Sequence, residues 1–218
     1  GAGPEHSSSR VERFLQMASE TAFRDFGTKA DVPKWSIINP TTPANYFHAL
    51  RRQIQSPLRI PLVVVAPKIL LRHPACQSSL VELAQGTSFQ PVLCEDDAIT
   101  SQATRVLWCS GKTYYELSAE REKRGAKHVA IVRLEELVPF PGVAARAALA
   151  KHPNASLHIW CQEEPENAGA WSHVYPRLYS SIGKQILFAG RPPSAAPAAG
   201  FADLHKAEQA AYFEACFE

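Results

Sequence analysis

Hydrophobic residues near the start of the chain recur at helical spacing. Val11, Phe14 and Leu15 are placed so that they share one face of an α-helix. Ser9 and Glu12 have the S-x-x-E spacing of a capping box, in which each side chain bonds the backbone N–H of the other residue. The pattern therefore predicts an amphipathic helix that begins just after Ser9.

A second helix is predicted over residues 42–55. Thr42 followed by Pro43 is typical of an N-cap and the first position of a helix. The apolar side chains that come next recur at helical spacing, which indicates an amphipathic helix. These side chains are Tyr46, Phe47, Leu50 and Ile54.

Two strands flank this helix. Residues 35–39 are predicted as a short strand, after a polar, irregular stretch over 24–34 that is predicted as a loop. The run over 60–66 is continuously apolar and rich in β-branched residues. Such a run is typical of a strand that is covered on both faces, as in a parallel sheet.

Strands and helices alternate regularly in the second half of the chain. Thr113 and Glu116 have the spacing of another capping box, and Gly125 is placed to end the helix that follows. This alternation predicts right-handed βαβ units, a parallel sheet and the α/β fold class. The predicted strands cover 106–109, 129–132, 157–161 and 186–189, and the predicted helices cover 113–124, 142–150, 170–182 and 205–217.

A domain boundary is predicted between the two halves. The acidic and polar stretch from Glu95 to Gln102 has no clear period, which is typical of an interdomain linker. We therefore expect one domain over 1–97, a linker over 98–104 and a second domain over 105–218.

Composition narrows the classes of partner. The chain has 218 residues, of which 45% are hydrophobic, and it contains no apolar run long enough to span a membrane. Its net charge of +2 and the lack of a basic stripe argue against nucleic-acid binding. The five cysteines have no C-x-x-C spacing, so we expect free thiols, with Cys109 and Cys161 buried, and no metal site.

The most informative candidate for chemistry is His6. It follows a Gly- and Pro-rich turn and precedes the hydroxyls of the predicted first helix, so Ser7 lies beside it. A helix N-terminus favours an anion, and a histidine there can donate to a carboxylate or move a proton. The alternative is a surface or capping histidine with no role in chemistry.

Two further groups of charged residues are candidates for a site. Lys68, Arg72 and His73 follow a predicted strand, where α/β sheets commonly place ligands, and could contact an anion or could be solvated. Glu163, Glu164 and Glu166 follow the predicted strand over 157–161. Paired carboxylates there could perform acid–base work, but the Pro and Gly residues around them favour a structural or interface role.

Seven motifs, in order and over nearly the whole chain, resemble one family. They resemble the C-terminal part of the thiamine-diphosphate-dependent E1 component of 2-oxoglutarate dehydrogenase and of its relative that acts on 2-oxoadipate. The motifs are G-A-G-P-E-H-S-S-S-R from Gly1, N-P-T-T-P-A-N-Y-F-H-A-L-R-R-Q from Asn39, P-L-V-V-V-A-P-K-I-L-L-R-H-P from Pro61, W-C-S-G-K-T-Y-Y-E-L from Trp108, R-L-E-E-L-V-P-F-P from Arg133, W-C-Q-E-E-P-E-N-A-G-A-W from Trp160 and A-G-R-P-P-S-A-A-P-A-A-G from Ala189.

The resemblance implies a fold and a chemistry. Residues 1–97 would be the later half of a thiamine-diphosphate (pyrimidine-binding) fold, and 105–218 a transketolase-type C-terminal α/β domain with a mainly parallel sheet. The family decarboxylates a 2-oxo acid on thiamine diphosphate and passes the acyl group to a lipoyl arm on the E2 partner of a complex that includes E3. By the same resemblance, His6 is catalytic and contacts the substrate together with Ser7.

The resemblance also implies what the rest of the enzyme supplies. It places the G-D-G motif for Mg²⁺ and the diphosphate, and the glutamate that acts on the cofactor, upstream of Gly1, and no G-D-G occurs in this sequence. We therefore expect the chain alone to be inactive, and the full E1 to be a homodimer. The mitochondrial matrix is the expected location, with the bacterial cytoplasm as the alternative.

Two other functions remain open at this point. One is the 2-oxoadipate dehydrogenase E1 of lysine degradation, because the P-T-T-P and G-R-P-P motifs resemble that enzyme more closely. The other is a non-catalytic dimerisation or regulatory subunit, which the absent cofactor motif favours and the intact His6 motif disfavours.

Overall fold

Two β-sheets organise the chain, and each takes strands from both sides of the predicted boundary. The computed structural model describes residues 7–18, 34–95 and 102–218. The strands are β1 (Ser36–Ile38), β2 (Leu62–Val64), β3 (Val92–Leu93), β4 (Arg105–Cys109), β5 (Val129–Leu134), β6 (Glu136–Val138), β7 (Leu157–Pro165) and β8 (Leu187–Arg191). The helices are α1 (Val11–Gln16), α2 (Pro43–Gln55), α3 (Thr113–Arg124), α4 (Gly142–Ala150), α5 (Trp171–Ile182) and α6 (Ala202–Phe217).

The larger sheet has five strands in the order β3-β5-β4-β7-β8. β5, β4, β7 and β8 are mutually parallel, which confirms the predicted parallel sheet, and only β3 runs antiparallel to its neighbour. The strands predicted in the second half of the chain are all present. The two residues of β3 are too few to show a period, so the sequence did not predict this strand.

The smaller sheet has the order β2-β1-β6. β1 pairs with β2 in parallel and with β6 in an antiparallel register, so β6 connects the second half of the chain to the first. The predicted burial of the strand over 60–66 on both faces is wrong, because β2 lies at the edge of this sheet and its residues are half-buried.

Two predicted capping boxes are absent. At α1 the N-cap is Arg10, with φ 54° and ψ 44° and no side-chain cap. The predicted partner Glu12 instead accepts a hydrogen bond from the backbone N–H of Gly169. At α3 the N-cap is Lys112, whose ammonium group pairs with Glu116, the acidic residue of the predicted box. Local spacing was misleading at both helices because each glutamate has a different partner in the folded chain.

The helix α2 has the predicted start but a different buried face. Thr42 accepts a hydrogen bond from the backbone N–H of Asn45, and Pro43 occupies the first turn, as expected. The buried face is formed by small or polar residues, among them Asn45 and His48. The apolar side chains that the sequence places along the helix, Tyr46, Phe47, Leu50 and Ile54, are exposed.

The core lies on both faces of the larger sheet. Because side chains alternate along a strand, Trp108 points into one hydrophobic cluster and Cys109 into the other. The first cluster also takes in Val11 and Leu15 of α1, which anchors the start of the chain to the second half. The five cysteines are free, and Cys109 and Cys161 are buried, as predicted.

The segment before the predicted linker packs against the larger sheet. Glu95 forms an ion pair with Arg121 at 2.5 Å, and it also accepts a hydrogen bond from the backbone N–H of Ile131 on β5. The predicted linker over 98–104 lies partly outside the described residues, and the domain limits stay a prediction. Over the described ranges, no helix is long and apolar enough to cross a bilayer.

Candidate functional site at the carboxyl edge of the larger sheet

The carboxyl ends of β4 and β7 meet at one edge of the larger sheet. The parallel register pairs Trp108 with Trp160, so the residues that follow each strand are close in space. Lys112, after β4, forms ion pairs with Glu163 of β7 and with Glu116 of α3. Burial alone would lower the pKa of Lys112, but the two carboxylates raise it above its usual value.

Glu164 lies next to this ion pair. Burial, together with the charge of Glu163, raises the pKa of the Glu164 carboxyl from 4.5 to about 7, and the charge of Glu12 acts in the same direction. A carboxyl with this pKa can take up and release a proton near neutral pH. The three glutamates of the predicted acidic group therefore differ in environment. Glu163 is in an ion pair, Glu164 titrates near neutral pH and Glu166 is exposed.

The loop that follows is organised by Gln162, which is 3% exposed. Its side-chain oxygen accepts hydrogen bonds from the indole N–H of Trp160 and the backbone N–H groups of Ala170 and Trp171, at 2.9–3.2 Å. Its side-chain NH2 group lies within hydrogen-bond distance of the backbone carbonyls of Glu164, Pro165 and Ala168, at 3.3, 3.0 and 2.8 Å, so its two hydrogens are shared among three acceptors.

Helix α1 touches this loop through a polar contact. The carboxylate of Glu12 accepts a hydrogen bond of 3.1 Å from the backbone N–H of Gly169. The chain segment just before α1 carries the predicted site. Ser7 is half-buried, whereas His6 lies outside the described residues. Ser7 therefore precedes α1 (Val11–Gln16), the helix that contacts the β7–α5 loop, and the site itself stays a prediction.

The predicted anion site at the N-terminus of the first helix is weakened by the structure. Helix α1 has only six residues, and its N-cap residue Arg10 has left-handed backbone angles. A helix this short has a small macrodipole, so it offers an anion little beyond ordinary backbone N–H groups. Any role of His6 must rest on its own imidazole and on the position of the segment.

A second polar cluster joins the two sheets, and the sequence did not indicate it. Glu135 is fully buried and accepts hydrogen bonds from the backbone N–H and the hydroxyl of Thr41, at 2.8 and 2.6 Å, and from the amide of Asn45, at 2.9 Å. Burial raises the pKa of the Glu135 carboxyl, while Arg133 and these hydrogen bonds oppose that shift. The Glu135 carboxylate thus receives its hydrogen bonds from within the protein. This cluster is therefore a structural connection between the two sheets.

The other sequence candidates show no shared site. Lys68 and Arg72 are exposed on a 3-10 turn, and the His73 ring packs against Tyr115 with centroids 4.7 Å apart. Within the described part of the chain, no group of three or more His, Cys, Asp or Glu residues could hold a metal ion. The described residues therefore do not fit a Mg²⁺–diphosphate site.

The comparisons with known proteins agree with this architecture. The family model for the 2-oxoglutarate dehydrogenase C-terminal region matches residues 77–217, and the transketolase pyrimidine-binding domain matches residues 1–74. The solved structure of a split-gene transketolase, described as an inactive beta4 tetramer, is similar with a TM-score of 0.56 at 10% identity, over 85% of this chain and 57% of that one. At this identity the likeness shows the fold alone.

Curated relatives match over nearly the whole chain. A probable 2-oxoadipate dehydrogenase complex component E1 homolog of Dictyostelium discoideum is 47% identical, over 95% of this chain and 24% of its own length. The human 2-oxoadipate dehydrogenase complex component E1 is 44% identical, over 94% and 22%. The 2-oxoglutarate dehydrogenase E1 component of Cupriavidus necator is 43% identical, over 100% and 22%.

The chain thus spans about a quarter of the length of the curated relatives it matches. The family model covers well over half of it, and the relatives are far above 30% identity. This chain therefore belongs to the 2-oxoglutarate dehydrogenase E1 family, whose C-terminal region it carries after a pyrimidine-binding segment of the transketolase type.

Proposed function

We propose that this chain is the C-terminal part of an E1 enzyme that decarboxylates 2-oxoglutarate with thiamine diphosphate and passes the acyl group to the lipoyl arm of an E2 partner. The observation that carries the proposal is the match to this family over both segments of the chain. Thiamine diphosphate, when bound, supplies the nucleophilic carbon that attacks the 2-oxo group. The Mg²⁺ and diphosphate ligands would come from residues outside this chain.

Within this enzyme, His6 would contact the substrate, with Ser7 beside it. A 2-oxo acid carries a carboxylate next to its reacting carbonyl, and an imidazole N–H can donate to either group or transfer a proton. Ser7 adds a hydroxyl that can donate to the same anion. Support comes from the G-P-E-H-S-S sequence and from the attachment of α1 to the carboxyl edge of the larger sheet.

The wider assignment is part of the same proposal. The domains would be 1–97 and 105–218 with a linker over 98–104, although the two family matches meet earlier, between residues 74 and 77. The assembly would be a homodimer of the full E1 with lipoylated E2 and with E3. Its location would be the mitochondrial matrix or a bacterial cytoplasm, because relatives of both kinds of organism match.

A second substrate is supported by a specific observation. Seven relatives that match at 43–47% identity, from Dictyostelium to Caenorhabditis, are named as 2-oxoadipate enzymes or their homologs. The bacterial 2-oxoglutarate enzyme is 43% identical, which is within this range. The two substrates differ by one methylene, which in a binding pocket is worth only about 1–3 kcal/mol. Direct comparison of kcat/KM for the two acids is therefore needed.

The test uses the native polypeptide that contains these residues, assembled with E2 and E3. We expect His6→Ala to lower kcat/KM for the preferred 2-oxo acid by at least about tenfold, because general acid–base or polar contacts of this kind contribute about 10²–10⁴-fold. The matched control is His205→Ala, since His205 is exposed on α6. Unchanged turnover in His6→Ala would contradict the catalytic role and favour a non-catalytic subunit.

A further inference from the structure

Two cysteine thiols meet where the last helix packs on the larger sheet. Cys161 lies on β7 and Cys216 lies in the last turn of α6, and their sulfur atoms are 3.5 Å apart. The two residues are 55 positions apart in sequence, and both are fully buried. Sulfur atoms at this distance are in van der Waals contact, so a small rotation of either side chain brings them to bonding distance.

The two thiols are held by packing and not by strong hydrogen bonds. Both belong to the hydrophobic cluster on the α6 face of the sheet, together with Cys109 and Tyr212. The Cys161 thiol can donate to the backbone carbonyl of Ile159 at 3.8 Å or to the Cys216 sulfur. Because an S–H group is only a weak donor, joining the two sulfur atoms breaks no strong hydrogen bond.

A cation from β4 lies beside the pair. The guanidinium group of Arg105 donates to the backbone carbonyl of Cys216 at 2.8 Å and to the backbone oxygen of Glu218 at 2.7 Å. Burial raises the pKa of the Cys161 thiol, and the neighbouring Cys216 thiol acts in the same direction, whereas the charge of Arg105 lowers this pKa. The thiolate is the reactive form, so the closed structure protects the pair and reaction requires access to solvent.

Helix α6 is attached in a way that allows such access. Of its 16 residues, the buried ones are Tyr212, Cys216 and Phe217. An element with few buried apolar contacts opens locally more easily than the whole protein unfolds. Opening of the last turn of α6 would expose both thiols while the strands of the sheet stay paired.

We propose that Cys161 and Cys216 form a reversible disulfide when the protein is exposed to hydrogen peroxide, and that this bond fixes α6 on the larger sheet. The thiolate of one cysteine attacks a peroxide oxygen, the O–O bond breaks and hydroxide leaves, which gives a sulfenic acid. The second thiol then attacks the oxidised sulfur, and its proton and the hydroxyl group leave as water. In total, two thiols and one peroxide give one disulfide and two waters, with two electrons passing from sulfur to oxygen.

The bond has a measurable consequence for stability. It would close a loop between a strand in the middle of the chain and the last helix, and such a cross-link reduces the conformational freedom of the unfolded chain. The oxidised protein should therefore unfold at a urea concentration higher by about 1 M than the reduced protein. A thiol reductant should remove this difference, because exchange restores both thiols.

The first measurement maps the bond directly. The native polypeptide that contains these residues is reduced, freed of reductant and treated with hydrogen peroxide, and its remaining thiols are then alkylated. Mass spectrometry of a non-reduced digest should show the Cys161 and Cys216 peptides joined and lighter by two hydrogens than their sum. Dithiothreitol should separate them. Oxidation of the half-buried Cys76 in the same sample shows that the oxidant was sufficient.

The second measurement compares variants. Cys216→Ser should lose both the joined peptide and the rise of the urea midpoint on oxidation, because serine cannot form the bond. If Cys216→Ser does not fold, Cys216→Ala serves instead. The matched control is Cys76→Ser, which removes a thiol outside the pair and should keep both effects.

The outcomes are distinct. Absence of the joined peptide while Cys76 is oxidised, or pairing of Cys161 with Cys109 instead, would overturn the proposal. A joined peptide without a higher urea midpoint would overturn the fixing of α6. A joined peptide, a higher midpoint and the loss of both in Cys216→Ser together support it. None of these measurements involves His6 or turnover of a 2-oxo acid, so the proposed function stands or fails separately.

Discussion

At the scale of single residues, the carboxyl edge of the larger sheet shows how environment separates similar side chains. Glu163 and Glu164 are neighbours in sequence, yet one pairs with Lys112 and the other is left to titrate near neutrality. The sequence indicated the acidic group but not which of its glutamates would be paired. The pairing depends on Lys112, which reaches this edge only because β4 and β7 are adjacent and parallel.

The raised pKa of Glu164 predicts that this residue destabilises the folded state as pH rises. In the unfolded chain this carboxyl titrates near 4.5, and in the folded chain near 7, so the folded state binds more protons between these values. Stability is therefore lost as pH rises from about 4.5 through 7. Glu164→Gln removes this loss, and we expect the variant to gain up to about 3 kcal/mol relative to the wild type at pH 8, and no such gain at pH 4.

Urea denaturation of both proteins across this pH range measures the effect. The control is Glu166→Gln, which changes an exposed acid of the same loop and should show no pH-dependent difference. A Glu164→Gln curve parallel to that of the wild type at every pH would show that the Glu164 carboxyl has an ordinary pKa.

At the scale of elements, the loop between β7 and α5 depends on one amide. Periodicity predicted the strand and the helix on either side, but a loop has no period from which its conformation can be inferred. Pro165 and Gly169 indicated a loop at this place, and Gly169 has a positive φ of 65°, which favours glycine. The role of Gln162 became visible only from its six hydrogen bonds.

This dependence gives a prediction for Gln162→Glu. A carboxylate at this position would face three backbone carbonyls, and a protonated acid would donate only one hydrogen bond. We expect a loss of about 2–4 kcal/mol of unfolding free energy, because buried polar groups are left without partners. Thermal or urea denaturation measures this, with Gln102→Glu as the exposed control. A loss equal to that of the control would contradict the role of Gln162 in holding this loop.

At the scale of the whole molecule, the two sheets are connected by exchanged strands and by a buried polar cluster. β3 and β6 are two and three residues long, and each pairs with a strand of the opposite half of the chain. Between the sheets, the Glu135 carboxylate is saturated by Thr41 and Asn45. The two halves are therefore expected to unfold together.

Thr41→Val tests this connection. The substitution keeps the shape but removes the hydroxyl that donates to Glu135 at 2.6 Å and accepts from Arg133 at 3.0 Å. We expect a loss of about 1–3 kcal/mol in one cooperative transition, because a buried carboxylate loses a donor. The exposed Thr104→Val serves as the control. Two separate transitions in the variant and the wild type would show that the halves are independent.

The sequence by itself determined the family and most of the element order. Motifs spread over the whole chain identified the family, and the second half of the chain follows a regular βαβ period with glycines that end its helices. The period and the helix-ending glycines are local signals, because each affects only the few residues around it. The cap of α2 was predicted for the same reason.

Only the tertiary structure decided which groups meet. The capping boxes at α1 and α3 were wrong because Glu12 accepts from Gly169, far along the chain, and Glu116 pairs with the side chain of Lys112. The apolar face expected to be buried on α2 is exposed, because neighbouring elements cover the Asn45 side of the helix. Contacts such as that of Glu12 with Gly169 join residues 157 positions apart, and no local pattern carries that information, since it arises only when the strands pair and the core closes.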